Sequence, residues 1–113
     1  MFEKNLAISD LLDTYAAVLS ERHREMLDCY YNQDLSLAEI AGLVGISRQG
    51  VRDGIKKAEE ELFFLEERLH LHERANSLRE AAERLLADAD ENTTRAIQEL
   101  LLAAGLQPEG EGA

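Results

Sequence analysis

Residues 34–52 read Asp34-Leu35-Ser36-Leu37-Ala38-Glu39-Ile40-Ala41-Gly42-Leu43-Val44-Gly45-Ile46-Ser47-Arg48-Gln49-Gly50-Val51-Arg52, and they hold two helix starts with a helix stop between them. Ser36 followed three residues later by Glu39 is a capping box: the hydroxyl accepts the Glu39 amide while the carboxylate accepts the Ser36 amide. Leu35 before the cap and Ile40 after it form the matching hydrophobic staple. The helix runs barely two turns before Gly45, which supplies the left-handed backbone of a C-cap. Ile46 then turns inward and Ser47 caps the next helix. Two capped helices joined by Val44-Gly45-Ile46-Ser47 make a tight, wide-angled corner, a helix-turn-helix.

Working outward, apolar residues keep a helical period: Leu12, Tyr15, Ala16, Leu19; Met26, Leu27, Tyr30; Leu37, Ile40, Ala41, Val44; Val51, Ile55, Ala58, Leu62, Leu65, Leu69. The pattern predicts helices over 5–18, 21–32, 37–43, 48–70, 72–89 and 93–104, with no strand, so the fold class is all-α. A second apolar run, Leu71, Ala75, Leu78, Ala82, Leu85, Ala89, is out of step with the first by two residues, which a hinge or hairpin near Leu69–Glu73 resolves. The organisation read from this is a helix-turn-helix domain over 1–62, a helical dimerisation extension over 63–104, and a disordered tail over 105–113. The stripe is short for a free-standing coiled coil, and a chain of 113 residues buries only a modest core, which favours self-association. The expected homodimer seam comprises Leu62, Phe63, Leu65, Leu69, Leu78 and Leu85.

Lys and Arg number 12 against 23 Asp and Glu, a net charge of −11, which repels polyanions as a whole. The charge is uneven. Residues 48–57 hold Arg48, Arg52, Lys56 and Lys57 against Asp53, whereas residues 61–113 hold five arginines against twelve carboxylates. The basic window therefore falls on the second helix of the motif, where a reading head sits. With Val51, Ile55, Ala58 and Leu62 facing inward, Arg48, Gln49, Arg52, Asp53 and Lys56 face out. Arg48, Gln49 and Arg52 are the candidates for base edges, and Ser47, Lys56 and Lys57 for phosphates. The competing reading is a solvated helix face. Gly50 and Gly54 lie inside this helix, each costing roughly 0.5–1 kcal/mol relative to Ala, which points to a softened surface or to close approach by a partner.

Other chemistry finds no support. A lone Cys29 cannot pair within the chain and packs as a small hydrophobe, as expected in a reducing cytoplasm. No apolar run reaches the ~20 residues of a membrane span. His70 and His72 point to different faces of a helix and cannot share a metal. No P-loop or nucleophile elbow is present. The expectation is a soluble cytoplasmic protein that is not an enzyme and needs no metal or cofactor.

Two blocks, Leu19-Ser20-Glu21-Arg22-His23-Arg24-Glu25-Met26-Leu27 with Tyr30-Tyr31, and Asp34 to Ala41 with Gly45 to Arg52, resemble region 4 of sigma-70-type factors over residues 19 to about 62. The leading helix and acidic helical tail look more like the YlxM-type family, small helix-turn-helix proteins associated with the signal recognition particle (SRP). The resemblance implies an all-α fold, a dimer-prone helical end, and a regulatory link to the SRP pathway without catalysis. It places Arg48, Gln49 and Arg52 at the promoter-reading positions, with Gly50 where primary sigma factors carry a basic residue. The implied partners are DNA or SRP RNA. In the alternative, the partner is the SRP GTPase or its receptor, and the chain is an adaptor whose helix-turn-helix no longer touches nucleic acid.

Overall fold

Ser20, Ser36, Ser47 and Asp90 each start a helix, and each does so with a side-chain oxygen. These oxygens accept the amides of His23, Glu39, Gly50 and Thr93 at 3.2, 3.1, 2.9 and 2.7 Å, satisfying donors that a helix start leaves orphaned. A computed structural model describes residues 7–106. Its helices are α1 (Ala7–Tyr15), α2 (Glu21–Leu27), α3 (Leu37–Val44), α4 (Arg48–Leu69), α5 (Leu71–Leu86) and α6 (Glu91–Ala103), with no strand among the described residues. The all-α class is as the periodicity predicts.

The contacts divide the chain into two units, Met1–His72 and Glu73–Ala113. In the first, Val51, Ile55, Ala58 and Leu62 of α4 are fully buried against Ile8, Leu11, Leu12 and Tyr15 of α1, Met26 and Leu27 of α2, and Ile40 of α3. A fully buried Leu or Ile contributes about 1.5–3 kcal/mol over an exposed one, so this stripe is the main source of cohesion. Leu62, expected in a dimer seam, is 0 % exposed; it is taken up by its own domain and has no surface left for a second chain. Leu65 also packs onto this core, half-buried. In the second unit Ala82, Ile97 and Leu101 are buried, with Leu86, Ala89 and Leu106 packed around them.

Several local features differ from the period-based reading. Helix α1 ends at Tyr15, with the Val18 amide closing a turn onto the Tyr15 carbonyl at 2.9 Å, and residues 5 and 6 of the expected 5–18 helix lie outside the described residues. Helix α2 widens into a π-helical turn over Asp28–Asn32. There the Gln33 amide reaches the Asp28 carbonyl at 3.0 Å, and the Asp28 carboxylate accepts from Asn32 Nδ2 and Gln33 Nε2, both at 2.8 Å. Those two bonds hold the Asp28 carboxyl below its ordinary value against a smaller opposing effect of burial. Cys29 and Tyr30 on this turn are buried, and burial pushes the Cys29 thiol up.

The hinge expected near Leu69–Glu73 is a single residue, His70, at φ 55°. Tyr15 Oη closes this corner: it donates to Glu66 Oε1 at 2.6 Å and accepts the Leu71 amide at 3.1 Å, while Glu66 Oε1 accepts the His72 amide at 3.0 Å. The first free amides of α5 thus find partners on α1 and α4. Of the tail expected over 105–113, residues 107–113 lie outside the described residues. Gly105 and Leu106 are ordered as a helix cap instead: Gly105 takes φ 80°, its amide meets the Leu102 carbonyl and that of Leu106 meets the Leu101 carbonyl, both at 2.9 Å. This is a Schellman motif, and Leu106 adds its hydrophobic contact.

The two α4 glycines also receive a different account from the expected one. A Cβ on Gly54 would run into the Met26 terminal methyl, and one on Gly50 would stand 3.1 Å from Ser47 Oγ and 3.4 Å from Ile46 Cδ1. The close approach is internal, made by α2 and by the helix's own cap. Gly54→Val is therefore expected to lower stability by about 1–3 kcal/mol through overpacking. Denaturant unfolding checks this, with part of the loss recovered in a Met26→Ala background.

Candidate nucleic-acid interface

The geometry of the corner follows from three residues. Ser36 donates its amide to Glu39 Oε1 at 2.9 Å and accepts the Glu39 amide on Oγ, completing the reciprocal box. The Ser36 amide first, and the Ser36 side chain second, hold the Glu39 carboxyl below its ordinary value. Gly45 ends α3 at φ 82°, ψ 30°, its amide bonded to the Ala41 carbonyl at 2.9 Å; a side chain here would force an L residue into the left-handed region. Ser47, back in extended conformation, then starts α4.

Helix α4 has one face spoken for by the buried stripe. At ~100° per residue, Gln49, Asp53, Lys56 and Lys57 fall on the opposite half, Arg52 at its edge and Arg48 beside the stripe on the first turn; all six are exposed, as is Ser47. The six expected site residues are thus all exposed, spread from the cap over about three turns of α4 and round about half of the helix from Arg48 to Lys57. No ion pair engages Arg48, Lys56 or Lys57 among the described residues, and Asp53 is bonded to Gln49 rather than to a cation. The surface therefore holds three cations without an ion pair, Arg48, Lys56 and Lys57, beside an exposed Arg52 and one carboxylate. Ser47 Oγ is already used by the Gly50 amide at 2.9 Å, so it acts as a cap first.

The residues expected at a dimer seam are scattered differently. Phe63, Leu69, Leu78 and Leu85 are exposed, Leu85 at 64 %, while Leu62 is interior. Phe64 is also exposed, with the Arg68 guanidinium 5.0 Å above its ring. Leu71, Leu78 and Leu85, part of the second apolar run, stay exposed; of that run only Ala82 is buried, with Ala89 packed beside it. No described group of His, Cys, Asp and Glu is arranged to hold a metal ion, and no described helix is long and apolar enough to cross a membrane.

Comparison with known proteins identifies this arrangement. Residues 2–101 match the family described as "Putative helix-turn-helix protein, YlxM / p13 like", UPF0122. The chain belongs to the UPF0122 family. A UPF0122 protein of Clostridium kluyveri is 46% identical over 78 residues, covering 69% of this chain and 70% of its own. One from Oceanobacillus iheyensis is 37% identical over 101 residues, covering 88% and 96%, and one from Clostridium perfringens is 36% identical over 91 residues, covering 80% and 81%. The family description agrees with the helix-turn-helix read from residues 34–52.

Two features of the site were not anticipated, the Gln49–Asp53 hydrogen bond and the internal role of the glycines. The first has a sequence signal, a Gln and an Asp four apart on a helix; the second does not, because it depends on which α2 residue lies opposite. The box supplies a test of the corner. Glu39's lowered value means its contribution is complete above the ordinary glutamate range and is lost as the pH falls through the lowered value. A Glu39→Gln variant is expected to show a shallower acid-side loss of melting temperature than wild type. Ser36→Ala, which removes the cap oxygen, is expected to cost about 1 kcal/mol at neutral pH.

Proposed function

We propose that this UPF0122 protein is a non-enzymatic regulator that binds duplex DNA with the first turns of α4 in the major groove. The observation that carries this is the exposure of Arg48, Gln49, Arg52, Lys56 and Lys57 over the first three turns or so of the second helix of a helix-turn-helix. In this reading Arg48, Gln49 and Arg52 take base edges, while Lys56, Lys57 and the Ser47 end of the helix take phosphates. The internal account of Gly50 and Gly54 supports this reading, since neither glycine then calls for a protein partner.

The protein acts as a homodimer, supported by the large apolar side chains left exposed at Phe63, Leu69, Leu78 and Leu85. Two heads on one ligand raise the effective concentration of the second, which offsets a weak single head. By resemblance to the YlxM-type proteins, its context is the SRP pathway, in the cytoplasm. A second reading, an adaptor for the SRP GTPase or its receptor, is favoured by the −11 charge and by the same exposed aromatic residues.

Labelled duplex DNA and the SRP hairpin RNA, titrated across salt with wild type and the Arg48→Ala/Arg52→Ala variant, separate these readings. Lys56 and Lys57 on phosphates give a slope of log affinity on log salt of about −1.8 per protomer, and all four cations together no steeper than about −3.6. The double variant is expected to lose at least about tenfold in affinity, given ~1–3 kcal/mol for each good bidentate contact. Binding absent even at low salt, or unchanged in the variant, removes the nucleic-acid reading in favour of the adaptor. Light scattering at tens of micromolar is expected to give twice the 12.7 kDa chain mass, returning to one in Leu78→Glu/Leu85→Glu.

A further inference from the structure

Gln49 and Asp53 stand one helical turn apart on the exposed face of α4, and Gln49 Nε2 donates to Asp53 Oδ1 at 3.0 Å. A carboxylate only accepts hydrogen bonds, whereas an amide donates at one end and accepts at the other. The pairing therefore decides which way round the Gln49 amide stands: its NH2 turns toward Asp53 and Oε1 turns away. A primary amide has two N–H bonds, and Asp53 takes one. With the N–H trans to Oε1 on Asp53, the cis N–H is left beside Oε1, in a fixed order, at the second residue of the helix.

The four bases differ in how they meet such an edge. In the major groove adenine shows an acceptor, N7, next to a donor, N6; guanine shows two acceptors, N7 and O6; cytosine shows a donor and thymine an acceptor beside its methyl group. Adenine satisfies both halves of the oriented amide. Guanine sets O6 against Oε1, two acceptors face to face, and each pyrimidine satisfies only one half. We infer that Asp53 is a positioning residue that locks Gln49 to read adenine. The inference rests on the DNA-binding reading above and names what that surface selects.

Asp53 has a second effect that can be told apart from the first. Among four cations it is the one carboxylate in residues 48–57, so its charge opposes phosphates whatever the sequence. Removing it raises affinity for every duplex alike, while freeing the amide to rotate flattens the choice of base at one position. A merely structural role for Asp53 would not move the base preference at a single position.

Binding-site selection from a random duplex library, followed by anisotropy titrations on the selected site and its three base replacements at each position, tests this on the full chain. Wild type is expected to show one position with adenine favoured about 5- to 150-fold, identified as the position whose preference Gln49→Ala abolishes. Asp53→Ala is expected to bring that preference within about twofold while overall affinity rises, and Asp53→Glu, which keeps a carboxylate within i,i+4 reach, to restore it. Circular dichroism is expected to show the same helix content in all three variants. An adenine preference undiminished in Asp53→Ala overturns the positioning role and leaves DNA binding standing. Failure of wild type to enrich any sequence overturns both.

Discussion

Helix α4 has one apolar side, and three helices compete to cover it. Val51, Ile55, Ala58 and Leu62 form a continuous stripe, and burying it against α1, α2 and α3 leaves no freedom of rotation about the α4 axis. Turning the helix by even one residue would expose part of that stripe and bury a cation without a partner, at several kcal/mol. The orientation of Arg48, Gln49, Arg52, Lys56 and Lys57 is thus decided by residues that never meet solvent. Gly54 belongs to the same packing, because the end of the Met26 side chain fills the space a Cβ there would take.

The direction of the cationic face depends in turn on the corner before it. Three successive backbone states, the end of α3, the left-handed Gly45 and the extended Ser47, set the crossing of α3 and α4 within a few residues. Caps on both sides keep those states from fraying. At the other end of α4, His70 takes the left-handed backbone state without being a glycine, held there by the Tyr15–Glu66 pair and the amides of Leu71 and His72.

An excess of carboxylates is compatible with a local cationic surface because screening is short-ranged. At physiological salt the Debye length is about 8 Å, so a phosphate lying along α4 responds to the charges of residues 48–57 far more than to the chain's total. Within that radius the arrangement of donors and acceptors matters as much as the sum. Asp53 is the instructive case: it weakens the positive field and at the same time orients an amide.

Much of this was legible in the residues alone. Caps, Gly45 and helical periodicity are local properties, governed by hydrogen bonds and steric limits within about one turn, so the six helices, the helix-turn-helix and the outward cations could be read from the order of residues. The π-turn at Asp28–Asn32, the internal fate of Leu62, the reason for Gly54 and the Schellman cap at Gly105–Leu106 each depend on which side chain arrives from another turn or helix, or on how a local ending is stabilised by packing. Period counting cannot distinguish a leucine covered by its own domain from one left for a second chain, as Leu62 and Leu85 show. Those outcomes came from the packing of the helices, because burial is a property of the space between them and not of any one of them.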